Sequence, residues 1–74
     1  MKLVISASSF NMDIDTIMIS NVGDDIEAAI ETMRRISKNL AKAGYGYVAL
    51  YDIEDFKTKL IADILNGEEK IMAT

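Results

Sequence analysis

Apolar and polar positions divide the chain into blocks with different periods. Over residues 2–10, Leu3, Val4, Ile5 and Ala7 alternate loosely with serines, and residues 14–22 are again rich in β-branched side chains, so both segments read as strands. Asn11, Met12 and Asp13 supply a short polar turn between them, and so brief a connection makes the two strands antiparallel neighbours. Gly23 breaks the second strand. Asp24 followed three residues later by Glu27 resembles a capping box, and Ile26, Ala29, Ile30, Met33, Ile36 and Leu40 then recur at three- and four-residue steps. This predicts a helix of about 30 Å running to Ala43, with Gly44 as its stop. Asp24, Asp25, Glu27 and Glu31 occupy its first half, and Arg34, Arg35, Lys38 and Lys42 its second. That order complements the helix dipole and allows Glu31 to pair with Arg35, so a solvated, charge-stabilised face outweighs a functional basic patch.

Period two returns over residues 45–51, which puts Tyr45, Tyr47, Ala49 and Tyr51 on one face of a third strand and Gly46, Val48 and Leu50 on the other. Asp52 or Glu54 then caps a second helix, in which Ile53, Phe56, Leu60, Ile61, Ile64 and Leu65 repeat at helical spacing and Gly67 supplies a left-handed terminator. Residues 68–74 read either as a frayed tail or as a short edge strand through Ile71 and Met72. The expected fold is therefore α+β: a ββαβα, three-stranded mixed sheet with two helices packed on one face, a reduced ferredoxin-like arrangement whose single domain spans residues 1–67. The second and third strands should lie parallel about a crossover helix. Ile17, Ile19, Val48 and Leu50 would face the helices, and Met18, Ser20, Tyr45, Tyr47 and Tyr51 an open side next to an unpaired edge, which suggests a protein-binding or dimer surface.

Composition narrows the chemistry. A 74-residue chain forms one small domain that buries about 60% of its unfolded surface, and half of its residues are hydrophobic, so it should fold. It has no cysteine and no histidine, which removes disulfides, thiolate nucleophiles, imidazole bases and nearly every zinc or haem site. No catalytic residue, metal ligand or cofactor is assigned, and enzyme activity is not expected. Asp13 with Asp15, and Asp24 with Asp25, lack the regular oxygen spacing and turning glycine of a calcium loop, and capping explains them better. The N-terminal apolar run is too short for a signal peptide or a membrane span, so no membrane partner is expected and cytoplasm is the default compartment. A net charge of −4 opposes the counterion release behind most nucleic-acid binding. Of five methionines, Met33 reads as core filler, and Met18 and Met72 as adaptable surface contacts.

At Gly44-Tyr45-Gly46-Tyr47-Val48-Ala49-Leu50 the sequence resembles the aromatic octamer of RNA-recognition motifs. Glu54-Asp55-Phe56 followed by Ile64-Leu65-Asn66-Gly67 is similar to that family's second helix and its Leu-Asn-Gly ending, and Ile17-Met18-Ile19-Ser20-Asn21-Val22 resembles its shorter motif. Ala43 stands where the octamer has a basic residue, Leu50 and Met18 stand where the family has aromatics, and no room is left for the family's second strand. The resemblance implies a ferredoxin-like sheet and base stacking on Tyr45 and Tyr47, with Met18 as a poorer third platform. Stacking one base is worth about 1–3 kcal/mol, but the acidic chain lacks the phosphate attraction that usually dominates affinity.

Two functions follow as expectations. The first is a non-catalytic protein-binding module, self-associating as a homodimer through Met18, Tyr45, Tyr47 and Tyr51. Its size and acidity resemble those of small phage or mobile-element inhibitors that block a host protein surface, and such an inhibitor would present the acidic helix start and residues 52–55 to a basic groove. The second is single-stranded RNA recognition through Tyr45 and Tyr47.

Overall fold

The computed structural model describes residues 2–9, 15–54 and 56–72. Five strands and one helix follow in the order β1 (Leu3–Ser8), β2 (Ile17–Ser20), α1 (Ile26–Lys42), β3 (Tyr47–Glu54), β4 (Lys57–Leu65) and β5 (Glu68–Ile71). The strands form a single sheet in the order β2-β1-β3-β4-β5, with every neighbouring pair antiparallel. The hairpin expected between the first two strands is present, whereas its turn at Asn11, Met12 and Asp13 lies outside the described residues.

Helix α1 forms where its apolar spacing places it. Its N-cap is Asp25, whose carboxylate accepts from the Ala28 amide at 2.7 Å, one residue later than the Asp24–Glu27 box. Thr32 Oγ1 donates to the carbonyls of Val22 (2.8 Å) and Ala28 (3.0 Å), tying the incoming chain to the helix. Arg34, rather than Arg35, takes Glu31 as partner. At the far end the Gly44 amide donates to Ala41 O (3.1 Å) and the Tyr45 amide to Leu40 O (2.9 Å), with Gly44 at φ +101°. This is a Schellman ending, and it needs the left-handed backbone that glycine adopts without steric cost.

The expected ββαβα sheet with two helices is not what forms. Residues read as a second helix are the end of β3, a tight turn and β4. The parallel neighbours are also absent, because β1 lies between β2 and β3 and pairs antiparallel with both. The third strand is central rather than an edge. Of the two readings of the C-terminus, the strand is the one observed: Glu68–Ile71 pairs with β4 and forms one border of the sheet.

The apparent helical spacing over 53–65 has a local cause. Leu50 pairs with Ala62 and Tyr51 with Leu60, so Ile61 is an extra residue in β4. Such a bulge shifts the alternation by one. Ala62 and Ile64 face the helix on one side of it, while Leu60 lies opposite on the side of Tyr51. Apolar residues at 60, 61, 64 and 65 therefore come from both faces of a bulged strand, and imitate one stripe of a helix. Asn66 (φ +49°) and Gly67 (φ +87°) form the two-residue connection to β5. Asn-Gly with both residues left-handed is the hairpin turn whose twist suits flanking strands.

The core lies between α1 and one face of the sheet. Ile5, Ala7, Val48, Leu50 and Ala62 are fully or almost fully buried against Ala29 and Met33, with Ile17, Ile19, Ile26, Ile36 and Leu40 packed around them. Met33 is the core filler its spacing predicts, at 0% exposure.

Candidate functional site

One helix about 10 Å wide cannot cover a five-stranded sheet, whose outer strands are about 19 Å apart. All of α1 lies on one side, so among the described residues no helix covers the other, bare side of the sheet, where Val4 and Ala49 are nonetheless buried. Cross-strand register fixes what that side displays. One row runs Ser20, Val4, Tyr51, Leu60; the next runs Met18, Ser6, Ala49, Asp63, Lys70; a third joins Ser8, Tyr47, Leu65 and Glu68. Within the strands its charges are confined to β4 and β5. The part contributed by β2, β1 and the first five residues of β3 carries none, and there Met18 is 59% exposed while Tyr47 and Tyr51 are half-buried.

The two outer strands differ in the same sense. β5 reads Glu-Glu-Lys-Ile, a charged edge of the kind that discourages further pairing, whereas β2 reads Ile-Met-Ile-Ser with no charge.

Tyr47 is fixed by its hydroxyl, which donates to Asp63 Oδ2 at 2.9 Å across the β3–β4 pair. Desolvation first, and then the hydrogen bond to that carboxylate, push its phenol up to about 12. Tyr45 is elsewhere. It follows the helix stop directly, its amide closes the Schellman ending, and its ring packs against the helix-side core with Leu40. This corrects its expected place on the open face with Tyr47 and Tyr51. A hydrophobic residue just after a glycine stop commonly packs back on the last turn, so Gly44-Tyr45 already held that signal. The paired platform required for stacking bases on Tyr45 and Tyr47 is consequently not assembled. Met18, for its part, stands on the outer strand β2, separated from β3 by β1.

Phe56 is the largest departure from the sequence reading. Expected in the core of a helix, it sits fully exposed in the β3–β4 turn at φ +69°, a backbone region unfavourable for a bulky residue. Asp52 and Glu54 cap no helix; both are in β3, where Asp52 Oδ1 accepts the Lys2 amide at 3.1 Å. Met72 lies just beyond β5, with its amide donating to Ile61 O at 2.9 Å. Met12 and Asp13 are outside the described residues.

On the helix side, Arg34 Nε and Nη2 grip the Glu69 carboxylate in a fork of 2.6 and 2.9 Å that ties α1 to β5. These bonds raise the guanidinium pKa further, with Glu31 adding to the effect, and hold Glu69 below the usual carboxylate range. Beside this pair runs a groove of about 640 Å³ between the second half of α1 and the sheet. Among the described residues, no group of three metal-ligating side chains could hold an ion, and no helix is long and apolar enough to cross a membrane.

No family model, curated protein or solved structure matches this chain.

Proposed function

We propose that the protein is a non-catalytic protein-binding module that self-associates through the bare side of its sheet. The observation that carries this reading is the uncharged surface of Met18, Ser20, Ser6, Tyr47 and Tyr51, with the buried Val4 and Ala49 between them and the uncharged edge β2 along its border. Tyrosine and methionine suit such a surface, the first by combining large apolar area with a polar tip and the second by adapting its shape. A second copy presents the same uncharged region, so a two-fold contact buries it on both chains, with the Asp63 carboxylate at its border held by the Tyr47 hydroxyl. Met18, Tyr47 and Tyr51 carry the contact in this reading. Tyr45 does not contribute.

Sedimentation equilibrium at two well-separated concentrations tests the proposal. The average mass should rise with concentration, and Tyr51→Lys, which places a charge on the β3 border of the region, should return the chain to a monomer. A wild-type protein that stays monomeric at the higher concentration, or a Tyr51→Lys variant that associates equally well, would refute it.

A further inference from the structure

The groove beside α1 is a consequence of having one helix on a wide sheet. The helix packs over β1, β3 and β4, and β5 is joined to it by the Arg34–Glu69 fork. Val48 and Ile64 lie in the groove, with Gly46, Gly67 and Tyr45 along its sheet side. Its helix side is formed by Arg34, Ser37, Lys38, Ala41 and Lys42, a three- and four-residue spacing that defines one face of α1. Ser37 and Ala41 are small, which keeps the space open. Arg34, Lys38 and Lys42 form a row of cations one turn apart.

Those cations are not equivalent. Arg34 is answered by Glu31 and Glu69. Lys38 and Lys42 meet no carboxylate among the described residues, and like charges four residues apart mildly disfavour the helix. Lys42, in the last turn, is compensated by the helix dipole, but Lys38 lies a turn further in, where that effect has faded. On a chain of net charge −4, this is a local reversal of sign next to the apolar surface of Ala41 and Tyr45.

We infer that the groove binds an amphipathic organic anion, a small molecule with an apolar body that lies along Ala41 and the Tyr45 ring and a carboxylate head held by Lys38 and Lys42. A volume of about 640 Å³ is within the range of small-molecule sites. An inorganic anion would leave Ala41 and the exposed part of Tyr45 wet, and a neutral hydrophobe would leave the lysines unanswered, so the two halves of the groove together select the amphiphile. The site is on the opposite side of the sheet from the proposed association surface, and neither depends on the other.

Amide NMR titration of the full chain with decanoate, kept below its micelle-forming concentration, tests the assignment against decanol and decyltrimethylammonium. Decanoate should give saturable shifts centred on Ser37, Ala41, Tyr45, Gly46 and Gly67. Replacing both cations, as Lys38→Gln with Lys42→Gln, should weaken it by roughly three- to tenfold, the amount expected of exposed charge contacts, and leave decanol unchanged. Ala41→Leu, at an exposed helical position, should keep the fold and both lysines but fill the groove and abolish binding. The inference fails if the ammonium amphiphile binds as well as decanoate, if Ala41→Leu binds it normally, or if shifts gather on Met18, Tyr47 and Tyr51 instead. It fails equally if the groove amides move with protein concentration alone, since a second copy would then be the occupant.

Discussion

Tyr47→Phe isolates the side-chain hydrogen bond that Tyr47 makes across the bare side of the sheet. In the wild type the Tyr47 phenol donates to Asp63, and its pKa rises from 10.0 to about 12. Burial is the larger cause of that shift and does not stabilise the neutral phenol, so the bond itself contributes about 1 kcal/mol, the usual net value of an intramolecular hydrogen bond. The sign follows from proton linkage. At neutral pH the phenol is protonated in both the folded and unfolded chains, and the full contribution is present. Between about pH 10 and 12 the unfolded chain releases the proton while the folded chain retains it, so stability falls as pH rises. A chain of 74 residues has a total stability of roughly 4–11 kcal/mol, so 1 kcal/mol is measurable. Urea denaturation should place the Tyr47→Phe midpoint about 1 M below wild type at neutral pH. That gap should narrow through pH 10 and nearly close by about pH 12. Lysine and other tyrosine titrations are common to both proteins and cancel in the difference. A gap that stays constant across this range would refute the argument, because the bond would then not be coupled to the phenol's proton.

Two further outcomes test the fold itself. Gly67→Ala should cost about 1–2 kcal/mol in the same urea assay, because an L-residue resists the left-handed region; a Cβ there would meet nothing within 4 Å, so unchanged stability would mean that the turn is not built as described. Met33→Ala should lower stability by about 2–5 kcal/mol, a large part of the total, and a thermal melt shifted by only a degree or two would show that this side chain is not enclosed.

Much of the chain is legible where a local signal has one physical solution. Helix α1 combines a continuous apolar stripe, an acidic cap, sorted charges and a glycine stop, and no strand pairing satisfies all four. The first hairpin and the alternation of Tyr47, Val48, Ala49, Leu50 and Tyr51 are equally local, and Val48 and Leu50 are buried on the helix side as their period predicts. Met18 is exposed on the bare side for the same reason. Asn66-Gly67, by contrast, has two solutions, because a helix terminator and a two-residue hairpin turn both call for a left-handed backbone. Residues 57–65 are ambiguous too, since the bulge at Ile61 superimposes a helical spacing on a strand.

What the sequence by itself determined is the set of elements whose backbone hydrogen bonds close locally, together with the absence of cysteine and histidine chemistry. Tertiary structure decided the rest. β4 is a strand because β3 and β5 flank it and satisfy its amides and carbonyls, and neither partner is specified by β4's own residues. Tyr45 went to the helix side because the Schellman ending redirects the chain before β3 begins, and the groove exists because one helix is narrower than the sheet that had to form beneath it. Pairing over long sequence distances is a property of the assembled sheet, and a period measured along the chain cannot report it.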